Sequence, residues 1–99
     1  YQLLQYPEAL GLCGHGEGAS LIESGKADAD GEQPINPSGG VLGGNPLCVS
    51  GLNRVIEAVK QIRKEAGRCQ VRKEVKTALA QGSYGPCGQN QCVMILSAI

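Results

Sequence analysis

Phenylalanine and tryptophan are absent from this sequence, and three tyrosines are its only aromatic residues. Any core must therefore be assembled from Leu, Ile, Val and Ala, each of which buries less area than an aromatic ring. A net charge is also lacking. Nine basic and nine acidic residues cancel, so no long-range field draws the chain to nucleic acid or to an anionic membrane. The sequence holds no run of about 18 apolar residues and no basic-plus-apolar leader, so it gives no signal for membrane spanning or secretion. Histidine occurs once, and the five cysteines, at 13, 48, 69, 87 and 92, form no Cys-x-x-Cys pair. A metal site and a disulfide framework are both disfavoured. The cysteines read instead as small apolar residues of a reducing compartment, which puts the protein in the cytoplasm. No nucleic acid, membrane or metal is expected as a partner.

What is present reads as one domain, 1–99, with a modest core. The chain opens at Tyr1 without a methionine, and we expect an upstream portion in the complete protein. Leu3, Leu4, Ala9, Leu10 and Leu12 predict a helix over 2–12 that contains Pro7, and Leu21 and Ile22 predict a second over 17–24, closed by Gly25. Residues 28–46 are rich in Gly, Pro, Asp, Asn and Ser. The stretch is too long for an idle connector and is expected to be an ordered functional loop. The strongest element spans 50–66, with Leu52, Val55, Ile56, Val59 and Ile62 at helical spacing. Arg54, Lys60, Arg63 and Lys64 are expected outward, Ser50 as N-cap and Gly67 as the stop. Strands are expected over 75–79 and 91–99, the second buried on both faces. A strand at 34–36 or at Val41 would complete a right-handed crossover into the long helix.

Three segments resemble the thiolase superfamily and together cover nearly the whole chain. The first, Glu8-Ala-Leu-Gly-Leu-Cys-Gly-His-Gly-Glu-Gly-Ala-Ser-Leu-Ile-Glu-Ser-Gly25, is similar to the stretch where thiolases write a helix, a Gly-Glu-Gly turn and another helix. The second and most specific, Pro34-Ile-Asn-Pro-Ser-Gly-Gly-Val-Leu-Gly-Gly-Asn-Pro46 with Ser50-Gly51, resembles the Asn-x-x-Gly-Gly run that ends in Gly-His-Pro before a helix packed on the central sheet. The third, Gly82-Ser-Tyr-Gly-Pro-Cys-Gly88, stands where thiolases carry Cys-x-Gly. The resemblance implies an α/β fold, the C-terminal portion of a thiolase fold, with helices on a mixed sheet and a glycine-rich active-site loop.

The departures from the family pattern select the chemistry. Asn45 stands in the place of the family's catalytic His, and Tyr84 near that of the second catalytic Cys. This combination resembles the branch of thiolase-like lipid-transfer proteins that includes steroid side-chain aldolases. In that branch tyrosines take over proton transfer. The resemblance thus implies Tyr84 and Asn45 as catalytic residues and Gly43, Gly44 and Gly85 as substrate-binding positions. Asn45 offers hydrogen bonds to a thioester oxygen but cannot shuttle protons as an imidazole does, which disfavours Claisen chemistry. The implied reaction is retro-aldol cleavage of an acyl-CoA thioester, with coenzyme A as part of the substrate and no separate cofactor. Two alternatives stand beside it: an acetyl-CoA acetyltransferase whose nucleophilic Cys lies in the N-terminal half, and a non-catalytic acyl-CoA or lipid-binding protein. The N-terminal half of the same protein, a homodimer contact and a small OB-fold subunit are the partners the resemblance brings with it. The 99 residues alone are expected to be inactive and marginally stable.

On their own terms the candidates have blander readings. Asn45-Pro46 is a common turn-shaping dipeptide, and Tyr84 reads equally well as a packed turn aromatic. His15, between two glycines, reads as a surface or turn-supporting residue. Cys87 is a reserve candidate for the Cys-x-Gly position. The basic helix face reads as solvated.

Overall fold

A computed structural model of the chain describes residues 2–40, 44 and 48–99. Two compact units make it up, Tyr1–Ile35 and Asn36–Ile99.

In the first unit, helix α1 (Gln2–Ala9) packs on helix α2 (Gly18–Glu23). Pro7 lies inside α1 and removes one helical hydrogen bond, and the helix ends two residues later, short of the expected Leu12. The helices approach so closely that a Cβ on Gly18 would run into the backbone carbonyl of Leu4. Gly25, at φ 77°, closes α2. Leu21 and Ala27 are buried, and the chain folds back over Ala27 through the hydrogen bond from Ile35 N–H to its carbonyl at 3.0 Å.

The second unit sets helix α3 (Ser50–Ile62) against an antiparallel pair, β1 (Thr77–Tyr84) and β2 (Asn90–Ser97). The pairing runs from Thr77 opposite Ser97 to Tyr84 opposite Asn90. This is the α/β layering that the resemblance implies, reduced among the described residues to one antiparallel ribbon. No strand precedes α3 among the described residues. Residues 34–36 are irregular, and Val41 lies outside the described set. Strand alternation puts Ala78, Ala80, Gly82 and Tyr84 on the face that carries α3 and Leu79, Gln81 and Ser83 on the other. Only one face is therefore covered, and β2 is exposed along most of its length rather than buried on both faces. Val93 is 47% and Ile95 72% exposed on the open face.

Helix α3 differs from expectation at both ends. Val49 takes the N-cap position, so Ser50 is already helical and makes no capping bond. The helix stops four residues before Ala66, because Lys64 adopts the left-handed conformation at φ 60° and Glu65 N–H donates back to the Lys60 carbonyl at 2.8 Å. Its inward side is lined by Gly51, Val55, Ala58 and Ile62, while Leu52 and Ile56 are exposed. Arg54 was expected to face solvent and instead reaches β1.

The buried side chain of Gln61 fastens the chain that follows α3. Its amide donates to the Cys69 carbonyl at 2.7 Å and accepts from Val71 N–H at 3.0 Å, while Gln70 donates to it at 3.1 Å. Val71, only 5% exposed, is held by this clasp. Replacing Gln61 with Leu strands the Val71 N–H and the Cys69 carbonyl. We expect it to destabilise the fold by about 1–3 kcal/mol, read as a lower urea midpoint at unchanged slope.

Candidate functional site

The third segment of the sequence forms the hairpin between β1 and β2. Tyr84 ends β1, and Gly85 follows at φ 95°, ψ 163°, a backbone region that glycine alone occupies readily. Pro86 then starts a single 3-10 turn over Pro86–Gly88, within which Cys87 sits at φ 58°, and Gly88 N–H donates to the Gly85 carbonyl at 3.0 Å. A left-handed non-glycine residue costs about 1–2 kcal/mol, so the rest of the hairpin must hold Cys87 in place. A Cβ on Gly85 would come within 3.3 Å of the Asn90 amide nitrogen. Gly85 is thus fixed in identity by conformation and by space. Tyr84 is 75% exposed, and its ring is open to whatever approaches this end of the sheet.

The start of α3 meets β1 at the same end. A Cβ built on Gly82 would lie 3.5 Å from Gly51 Cα, and one on Gly51 3.9 Å from Gly82 Cα, so the first turn of the helix and the strand meet at van der Waals distance here. Tyr84 is two residues further along β1 and on the same face. The first turn of α3 therefore stands beside the tyrosine hairpin. Of the candidates before α3, Gly44 is exposed, with nothing within 4 Å of a Cβ built on it among the described residues. Gly43 and Asn45 lie outside the described residues.

The first segment builds a separate polar cluster. Glu8, near the end of α1, accepts hydrogen bonds from the backbone N–H groups of Gly16 and Gly18, the latter at 3.2 Å. Those bonds hold its carboxyl below the usual glutamate range; partial burial opposes the shift and the nearby His15 adds to it. His15 Nδ1 lies 3.4 Å from Glu8 Oε2, with its ring fully exposed. Glu17 accepts from Gly14 N–H at 2.9 Å, and partial burial together with the charges of Glu8 and Glu17 pushes the Cys13 thiol up. Because the folded-state pKa of Glu8 is depressed, its contribution to stability is complete above the unfolded value of about 4.3 and is lost as pH falls through the folded value. The expected result is acid weakening of this turn, seen as Gly16 and Gly18 amide shifts in NMR that titrate together below about pH 4.3. In Glu8→Gln that titration should vanish. Among the described residues no group of three or more His, Cys, Asp or Glu side chains is placed to hold a metal ion, and no helix is long and apolar enough to cross a membrane.

Residues 1–98 match the family described as thiolase C-terminal domain-like. The chain belongs to that family. Relatives carry the same imprint: it is 48% identical over 71 residues to human sterol carrier protein 2, covering 71% of this chain and 13% of that protein. It is 35% identical over 85 residues to the benzoylsuccinyl-CoA thiolase subunit BbsB of Thauera aromatica, covering 85% of this chain and 22% of the subunit. It is 45% identical over 65 residues to the acetyl-CoA acetyltransferase of Methanothermobacter thermautotrophicus, covering 65% and 17% respectively. The chain thus spans between about an eighth and a fifth of the length of these relatives.

Within this thiolase C-terminal domain, Gly51 and Gly82 bring the start of α3 to the tyrosine hairpin. Sequence reasoning singled out Tyr84 and Gly85 but not the side chains that hold this end together. Arg54 reads as a solvated cation in a helical wheel, and Gln81 and Gln91 carry no pattern at all.

Proposed function

We propose that the complete protein containing this domain cleaves a carbon–carbon bond in an acyl-CoA thioester by a retro-aldol reaction. Tyr84 moves a proton and Asn45 stabilises the thioester oxygen, with Gly43, Gly44 and Gly85 giving the substrate close access to the backbone. The observation that carries this reading is the pair of departures at 45 and 84, combined with the position of Tyr84 on the α3 face beside the Gly51 and Gly82 crossing. In the reaction a base takes the proton of the 3-hydroxyl, the bond between Cα and Cβ breaks, and its electron pair becomes the thioester enolate. The enolate carbon then takes a proton, releasing a carbonyl compound and a shortened acyl-CoA. A donor such as Asn45 serves the enolate oxygen, where charge develops. A phenol on a glycine-bounded hairpin serves as the proton carrier. Neither step requires a covalent cysteine. Coenzyme A enters as part of the substrate, and the upstream half of the protein, a second copy and a small OB-fold subunit are the partners consistent with this reading.

The test is turnover of 3-hydroxyhexanoyl-CoA by the complete protein. Butanal and acetyl-CoA formed without added free coenzyme A are expected. Cleavage of a 3-ketoacyl-CoA that requires free coenzyme A would instead establish thiolytic transfer, the reading favoured by the relative named acetyl-CoA acetyltransferase. Binding of the thioester with no product from either substrate would favour a carrier role, in keeping with the relative named sterol carrier protein 2.

A further inference from the structure

We propose that Gln91, clamped through Gln81 to Arg54, is a positioning residue for the hairpin that carries Tyr84; the proposal rests on the reading of Tyr84 given above. A continuous chain of hydrogen bonds links α3 to the hairpin. Arg54 Nη1 donates to the Gln81 backbone carbonyl at 2.7 Å and to its side-chain Oε1 at 3.1 Å. Gln81 Nε2 donates to Gln91 Oε1 at 2.6 Å, and Gln91 Nε2 donates to the Gly88 carbonyl at 2.7 Å.

The direction of this chain is fixed by chemistry. A guanidinium only donates, so Gln81 must present its oxygen to Arg54 and its NH2 to Gln91. Gln91 must then turn its oxygen to Gln81 and its NH2 to Gly88. Neither amide can flip without placing donor against donor. Both glutamines are cross-strand neighbours of the open sheet face, Gln81 opposite Val93 and Gln91 opposite Ser83, so the bridge lies diagonally across the two strands. The final acceptor, Gly88, directly follows Cys87, the left-handed residue that the hairpin must hold against its local preference. A Cβ at position 88 would stand 3.2 Å from Gln91 Nε2, so glycine there also makes room for the clamp. The clamp ties the connection after Tyr84 to the helix whose first turn packs at Gly82. It therefore sets where the phenol stands relative to the first turn of α3.

The experiment compares the complete protein with its Gln91→Leu, Arg54→Met and double variants. Hydrogen exchange of residues 85–89 is expected to quicken at least tenfold in each single variant, with α2 unchanged. With 3-hydroxyhexanoyl-CoA, kcat is expected to fall about tenfold while KM stays within about twofold, since misplacing a reacting group costs rate more than binding. The double variant is expected to lose no more than either single one, because the chain acts as a unit. Unchanged exchange in the hairpin overturns the proposal, as does additive loss in the double variant. If Tyr84→Phe abolishes turnover while Gln91→Leu keeps wild-type kcat, the positioning role fails and the Tyr84 reading stands. If Tyr84→Phe changes nothing, the Tyr84 reading fails and this proposal with it.

Discussion

Replacing Tyr84 by phenylalanine in the complete protein is expected to lower turnover of a 3-hydroxyacyl-CoA by about 100-fold or more, with the unfolding midpoint near wild type. The two halves of that expectation have different origins. In the proposed reaction, the loss of rate follows from removing a hydroxyl that moves a proton in the transition state. The preserved stability follows from exposure: the side chain is three-quarters open and ends a strand. Steady-state kinetics and urea unfolding on the same preparation separate the two. A fall in stability equal to the fall in rate would mean that the phenol packs rather than reacts.

Asn45→Ala is expected to cost a comparable factor, about 10²- to 10³-fold in kcat, by removing a preorganised donor from the developing enolate oxygen. The two substitutions act on different events and should differ in signature. Loss of the donor weakens charge stabilisation over the whole pH range. Loss of the phenol removes the group proposed to carry the proton, so the defect should appear in kcat rather than in KM. Asn45→His restores a titratable group at the position where the thiolase pattern has one. It is expected to leave retro-aldol turnover below wild type, since an imidazole does not reproduce the amide donor in its place. Recovery of wild-type cleavage with His at 45 would contradict a donor role for Asn45.

The parts of this fold that were legible in sequence are those whose signal is local and periodic. Helix α3 is written in its apolar spacing, although Val49 rather than Ser50 takes its N-cap. Its end was misplaced because a glycine at 67 is a stronger textual stop than a lysine at 64, yet Lys64 takes the left-handed position and Glu65 closes the last turn. Strand β2 was legible as an apolar run, whereas β1 was placed two residues early and ended five residues short. Gln81, Gly82 and Ser83 have weak strand preference; they are strand because Val93, Cys92 and Gln91 pair with them across the ribbon, information that lies beyond the hairpin turn. The expected burial of β2 failed for a related reason. An apolar run states that a surface seeks cover, and among the described residues α3 covers one face only. At the candidate site, Tyr84 and Gly85 were readable from their glycine-rich surroundings and from the family pattern. The clamp of Arg54, Gln81 and Gln91 and the amide cradle of Glu8 were not, because each is created by loop closure between residues with no shared period.

The central claim is that the tyrosine hairpin and the loop before α3 form one site on an acyl-CoA thioester. Its most direct test is a crystal structure of the complete protein with a non-cleavable 3-hydroxyacyl-CoA analogue bound. The Tyr84 hydroxyl is expected within hydrogen-bond reach of the 3-hydroxyl or the α-carbon, directly or through one water, and the Asn45 amide about 3 Å from the thioester oxygen. Tyr84 and Asn45 opening into different compartments, with the thioester touching neither, would contradict it.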